Sequence, residues 1–222
     1  MDLIRHDCMP YPDSVAEQER LVADVLAGRR RGCLVLTEHP PVYTIGTSGS
    51  PEHVLTRIIG HQQIDVFHTG RGGEVTYHGP GQLVCYVIAD LRDERDLHRH
   101  VWRLEEMIIR TLSDFGISAE RDTRGIGVWV RGLKIAAVGV RCRRWVTYHG
   151  IALNIDPDMR HFEGIVTCGM SDRPVTSMAQ QGVRVEREAV ERRVLAHART
   201  LFFSGASSLP QASMRKDSEE LG

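Results

Sequence analysis

Arg71-Gly72-Gly73-Glu74-Val75-Thr76-Tyr77-His78-Gly79-Pro80-Gly81-Gln82 runs without a break into Leu83-Val84-Cys85-Tyr86-Val87-Ile88-Ala89. The second stretch is an unbroken apolar run of strand length. In the first, adjacent glycines permit φ > 0 and leave bare backbone that a ligand can approach closely. Arg71, Thr76, Tyr77, His78 and Gln82 place donors in varied directions around that backbone. A Gly-rich bend beside a sheet is one reading, and a ligand-binding loop is the other. The density of polar groups favours the loop.

Outward from this segment, helices and strands alternate irregularly. Ser14-Val15-Ala16-Glu17 has the form of a capping box, followed by a helical stripe of Val15, Leu21, Val22, Val25 and Leu26 that stops near Gly28. Cys33 to Thr37 and Val42 to Ile45 read as short strands, because Pro40 and Pro41 between them prevent a helix. Ile64 to His68 is a further strand. Leu97, Val101, Leu104, Ile108, Leu112 and Phe115 share one face of a helix over 96–115, closed by Gly116. Gly127 to Val130 and Leu133 to Val140 form a hairpin turning at Arg131-Gly132. Trp145 to Ile155 is another strand, and the last helix spans about 187–203. Hairpins among helices predict a mixed α/β (α+β) domain over 1–204 rather than a doubly wound parallel sheet. The Ser-rich polar end, 205–222, reads as a disordered tail.

Composition removes several function classes. A net charge of -1 gives no reason to expect nucleic acid or an anionic membrane as partner. No apolar run is long enough for a membrane span, and Met1 to His6 lacks the pattern of a signal peptide, so the expected location is the cytoplasm. No GxGxxG opens a helix after a strand, and no phosphate-binding GxxxxGK[ST] occurs. The five cysteines form no CxxC pair, which speaks against both a disulfide framework and zinc. Cys33 and Cys85 sit inside apolar strands and read as small buried hydrophobes. Cys142 is surrounded by Arg141, Arg143 and Arg144, a setting that can lower a thiol pKa, although surface arginines beside a cysteine are common and favour no role for it.

Two residues stand apart. Cys168 lies in a loop, after Gly164-Ile165-Val166-Thr167 and before Gly169, where nucleophiles are often presented. A thiol of ordinary pKa is only a few per cent thiolate at neutral pH, so it needs a helper. Of 28 basic residues only Lys134 and Lys216 are lysines, and Lys134 alone lies in an apolar stretch of the folded part. Arginine keeps its proton in a protein, whereas a buried lysine can release one. Spacing alone does not show that Cys168 and Lys134 meet.

The segment 71–82, preceded by Glu38-His39-Pro40-Pro41-Val42-Tyr43-Thr44, closely resembles the octanoyltransferases of lipoate biosynthesis, the lipoyl(octanoyl) transferases. The resemblance continues through Gly132-Leu133-Lys134-Ile135-Ala136-Ala137-Val138-Gly139-Val140-Arg141, His149-Gly150-Ile151-Ala152-Leu153-Asn154 and Cys168-Gly169, over roughly 10–180. One departure is Thr167, where relatives often carry proline before the cysteine. The family's acyl-accepting cysteine falls on Cys168 and its lysine on Lys134. Its substrate-lining positions fall on Arg71, Gly72, Gly73, Glu74, Val75, Thr76, Tyr77 and His78, on Ala137, Val138 and Gly139, and on Gly150, Ile151 and Ala152.

The resemblance implies the fold shared by biotin and lipoate protein ligases, a mixed sheet flanked by helices in one domain. It also implies octanoyl transfer from octanoyl-acyl carrier protein, through a Cys168 thioester, to a lysine of a lipoyl domain. The implied acceptors are 2-oxoacid dehydrogenases and the glycine cleavage H protein, and the enzyme is expected to be a monomer without cofactor or metal. Two other readings remain: an ATP-dependent lipoate or biotin-type ligase, and a carrier-domain binding protein that kept the fold and lost the chemistry.

Overall fold

The structure, a computed structural model, describes residues 2–123, 125–166 and 174–203. Cys168 and the expected tail lie outside these residues. The elements in chain order begin with β1 (Asp2–Arg5), α1 (Tyr11–Leu26), β2 (Gly32–Thr37) and β3 (Val42–Ile45). They continue with β4 (Ile58–Ile59), β5 (Gln62–Gln63), β6 (Asp65–His68), β7 (Val75–His78) and β8 (Gln82–Asp90). The second half contains α2 (Leu97–Asp114), β9 (Glu120–Asp122), β10 (Gly125–Val130), β11 (Leu133–Arg143), β12 (Val146–Asn154) and α3 (Arg187–Phe202).

A seven-stranded sheet in the order β1-β2-β8-β12-β11-β10-β9 carries the fold. β1 runs parallel to β2 and every other neighbour pair is antiparallel, so the sheet is mixed, as the alternation of hairpins and helices predicts. The apolar run 83–89 lies in β8, an interior strand held between β2 and β12. Successive side chains of a strand point to opposite faces, which is why one apolar run supplies two cores. Leu83, Cys85, Val87 and Ala89 face α2 and α3 with Leu104, Ile108, Val190 and Val194. Val84, Tyr86 and Ile88 face Leu21, Val22 and Val25 of α1. The segment 71–82 turns away into a second sheet, β6-β3-β7, whose side chains Tyr43, Ile45, Val75 and Tyr77 form a third cluster with Phe162 and Ile165.

Several boundaries differ from the sequence reading. α1 begins at Tyr11, not Ser14, because Pro12 fits a helix's first turn. The expected capping box does not form: Ser14 lies inside the helix and its hydroxyl donates to the Tyr11 carbonyl at 2.7 Å. The Arg131-Gly132 hairpin is present with positive φ at both residues (51° and 78°), the backbone of a type I′ turn. β11 runs three residues past Val140, and Arg144-Trp145 makes a second turn of that kind (φ 52° and 63°). β1 was not foreseen, since four residues of mixed polarity carry no period. Cys33 and Cys85 are buried, and burial pushes the Cys33 thiol up to about 12. Cys142 is a correction: partial burial raises its pKa, outweighing a hydrogen bond involving the Trp145 backbone, and the neighbouring arginines do not lower it. Among the described residues, no helix is long and apolar enough to cross a membrane.

Candidate active site

A cavity of about 510 Å³ lies between the Gly-rich loop and the middle of β11 and β12, within the usual range for small-molecule sites. Its lining includes 71–76 and 78, 137–139, 150–152 and Lys134. The Gly-rich loop and the two hairpin-linked strands β11 and β12, some sixty residues later, therefore meet at one hollow. Of the expected lining residues only Tyr77 lies elsewhere. On β7, Thr76 and His78 face the cavity, while Tyr77 is turned into the third core, stacked on His161 at 4.7 Å between ring centroids. Strand alternation, not chemistry, separates it from its neighbours.

Arg71 shapes the loop. The residue is 7% exposed, and its guanidinium donates to the Thr44 carbonyl (2.7 Å), the Thr44 hydroxyl (2.8 Å) and the Glu74 carbonyl (2.8 Å), which ties the loop to β3. The Gly72 N–H donates to the Val140 carbonyl at 2.8 Å, which docks the loop on β11.

Below the loop runs a buried polar chain. His78 Nδ1 meets Gln82 Oε1 at 2.7 Å and so carries the proton. Gln82 Nε2 donates to Asn154 Oδ1 at 2.9 Å, Asn154 Nδ2 donates to the Thr176 carbonyl at 2.9 Å, and the Thr176 N–H donates to the Lys134 carbonyl at 2.9 Å. The Lys134 N–H in turn donates to the Pro174 carbonyl at 3.1 Å. The Lys134 backbone is thus clasped on both sides by 174–176. The residue is 9% exposed, with Nζ 4.8 Å from the centre of the Trp129 ring.

Three histidines surround the loop's base. His39 donates from Nδ1 to the Met9 carbonyl (2.6 Å), which leaves Nε2 to accept the Tyr86 hydroxyl (2.6 Å). Burial lowers its pKa to about 4. His149, held at φ 59° with its N–H donating to Gln18 Oε1 at 2.7 Å, falls to about 3, through burial and then the Arg71 and Arg141 charges. His78 falls well below its usual value, through burial first and then His39 and Arg71. At neutral pH all three are uncharged donors or acceptors rather than cations.

Gln82, one of the loop's expected donors, also lines the cavity, as do Tyr11, Tyr86, His149 and Asn154, which the sequence reading did not place among the site residues. His149 and Asn154 flank 150–152 in their motif, and that adjacency was the available signal. Nothing local marks Tyr11, which reaches the site by stacking on His78 at 6.0 Å. Gly150 is there for space: a Cβ at this position would collide with the Cys85 carbonyl oxygen of β8. Gly150→Ala is expected to cost about 1–3 kcal/mol through overpacking. Thermal unfolding should show a lowered Tm, and an unchanged Tm would mean that β12 moves freely at this point.

Fold and site together define a class: residues 10–199 match the lipoyl protein ligase A/B catalytic domain family. Solved structures agree in fold. Lipoate-protein ligase A bound with ATP superposes with a TM-score of 0.72 at 15% identity, covering 90% of this chain and 85% of that one. Biotin protein ligase from Aquifex aeolicus in complex with biotin and ATP gives 0.58 at 16% identity, covering 90% and 70%. Sequence relatives narrow the class. An octanoyltransferase of Magnetococcus marinus is 44% identical over 194 residues, 87% of this chain and 89% of that protein. One from Nitrobacter hamburgensis is 48% identical, covering 82% and 78%. The chain belongs to the octanoyltransferases, and is an acyltransferase.

Proposed function

We propose that this enzyme takes an octanoyl group from octanoyl-acyl carrier protein onto Cys168 and delivers it to a lysine of a lipoyl domain. The observation that carries this reading is the clasp on Lys134. Both its backbone hydrogen bonds go to 174–176, and its side chain lines the cavity. On the other side, the Val166 N–H donates to the His53 carbonyl at 2.8 Å and the Gly164 carbonyl accepts from Leu55 at 2.8 Å. Cys168 is two residues beyond Val166 and six before Pro174 in the sequence. The 174–176 flank of the proposed nucleophile is therefore anchored on the strand that carries the proposed base, and the 164–166 flank on 53–55.

In the first step the Cys168 thiol gives its proton to the Lys134 amine. The thiolate attacks the thioester carbonyl, the C–S bond to phosphopantetheine breaks, and the departing thiolate regains a proton. In the second step the acceptor amine attacks the acyl-enzyme, loses a proton, and expels the Cys168 thiolate, leaving an amide. No oxidant, reductant or nucleotide enters the balance. The apolar walls Val138, Ile151 and Ala152 take the acyl chain. Burying six or seven methylenes supplies about 5 kcal/mol, while one methylene more or less changes binding by about 1–3 kcal/mol. Chain-length preference is therefore real but leaky. The catalytic unit spans 1–204, with the tail outside it, and works as a cytoplasmic monomer that meets donor and acceptor carriers in turn.

Intact-protein mass spectrometry after incubation with octanoyl-acyl carrier protein tests the reading. An added octanoyl mass on the wild type is expected. An intact donor beside an unmodified enzyme would remove the thioester route and favour ATP-dependent activation of the free acid, tested by adding ATP and octanoate.

A further inference from the structure

We infer that Glu105 and Gly127 are positioning residues for Lys134: the Glu105 carboxylate holds the β10 backbone so that Gly127 leaves the slot occupied by the end of the lysine side chain. The inference rests on the proton-transfer role proposed above for Lys134.

Glu105 lies on α2, 7% exposed, under the β10–β11 hairpin. Its Oε1 accepts the Gly127 N–H at 2.9 Å and its Oε2 accepts Arg121 Nε at 3.0 Å. Arg121 is itself held by Glu106 (2.9 Å) and the Trp102 carbonyl (3.0 Å), with its guanidinium 4.6 Å from the centre of the Trp102 ring. The carboxylate is thus neutralised from one side and committed to the strand on the other. The register of β10 against β11 shifts between Val128 and Trp129. Such a bulge takes a residue out of the regular ladder and re-aims its neighbours.

Gly127 has φ +140°, a conformation that side chains rarely adopt. A Cβ there would lie 2.7 Å from the Ala136 carbonyl oxygen, 3.1 Å from Lys134 Cε and 3.5 Å from Lys134 Nζ. The end of the lysine therefore crosses directly over the missing side chain, while the Trp129 ring bounds it from another side. A lysine has a flexible stem of four carbons. Confining that stem to one path removes reorientation from the proton-transfer step, the kind of preorganisation that raises rate more than affinity.

The test is single-turnover acylation by octanoyl-acyl carrier protein, followed as enzyme mass against pH, for wild type, Gly127→Ala, Glu105→Ala, Glu105→Gln and Lys134→Ala. Gly127→Ala is expected to acylate about 10²-fold more slowly, the usual penalty for misplacing a reacting group by about 1 Å. Its pH–rate midpoint should be displaced, and half-saturation by the donor should stay within a few-fold of wild type. Glu105→Ala should follow it, and Glu105→Gln, which keeps an oxygen for the Gly127 N–H, should recover most of the rate. Circular dichroism gives the folded fraction of each variant. Rate losses that only track that fraction, with an unmoved pH midpoint, overturn the inference. So does wild-type behaviour of Gly127→Ala and Glu105→Ala while Lys134→Ala is slow. A wild type that never acylates overturns the thioester reading itself.

Discussion

Cys168→Ser is expected to abolish octanoyl transfer, by about 10³-fold or more, as loss of a covalent nucleophile does elsewhere. A serine hydroxyl is far less acidic than a thiol, so Lys134 cannot ionise it at neutral pH, and any ester formed would have to expel an alkoxide, a poorer leaving group than a thiolate, when an amine attacks. Lys134→Ala leaves the thiol in place and removes only its base. Acylation should slow by about 10²–10⁴-fold, the usual contribution of general acid–base catalysis. The two variants therefore separate by kind as well as size. Cys168→Ser shows no octanoyl adduct at any time, whereas Lys134→Ala accumulates one slowly and faster at high pH, where bulk solvent deprotonates the thiol. Equal wild-type rates in both would leave neither residue with a chemical role.

Acidification should unfold the protein well above the pH at which its carboxylates titrate. His39, His78 and His149 are joined by His100 of α2, which is wholly buried against Phe202 and held at about 3 by burial and then by the Arg103 charge. Neither His100 ring nitrogen has a hydrogen-bond partner among the described residues. Each of the four has a folded pKa below the unfolded value near 6.5. Above pH 6.5 both states are neutral and stability is whole. As pH falls through 6.5 the unfolded chain binds protons that the folded chain refuses, and stability drops until the depressed folded values are reached, about 4 for His39 and about 3 for His100 and His149. Each histidine contributes up to about 1.4 kcal/mol per pH unit, so the four together approach about 5 kcal/mol per unit. Domains of this size have only about 5–15 kcal/mol in total.

A steep fall in Tm between pH 6.5 and 5.5, with unfolding near pH 5, is expected by circular dichroism. His100→Leu removes two unpartnered nitrogens from an apolar site, so it should raise Tm at pH 7 and flatten the acid slope by about a quarter. A Tm indifferent to pH from 7.5 to 5.5 would mean that these histidines are hydrated in solution.

The amino-acid sequence by itself determined the elements whose period is local. The unbroken run 83–89, the helical stripe 97–115 and the Arg131-Gly132 turn are read from neighbours within a few residues, and each lies where it was expected. The motifs carried the family, to which relatives 44% and 48% identical also point, and the stretches that line the cavity. Cys168 is known from sequence alone, since it lies outside the described residues.

Tertiary structure decided what depends on register. Tyr77 belongs to the third core while Thr76 and His78 face the cavity, and only the pairing of β7 with β3 settles which face is which. Ser14 could have capped a helix, yet a helix starting at Tyr11 takes it inside. Glu105, twenty-two residues before Gly127, reaches it only because α2 packs under the hairpin. The clasp of 174–176 on Lys134 closes a loop of forty residues. Local sequence sets which way a side chain alternates; which groups meet is set by burial of the whole sheet, since a one-residue shift in pairing would turn every one of them to the opposite face.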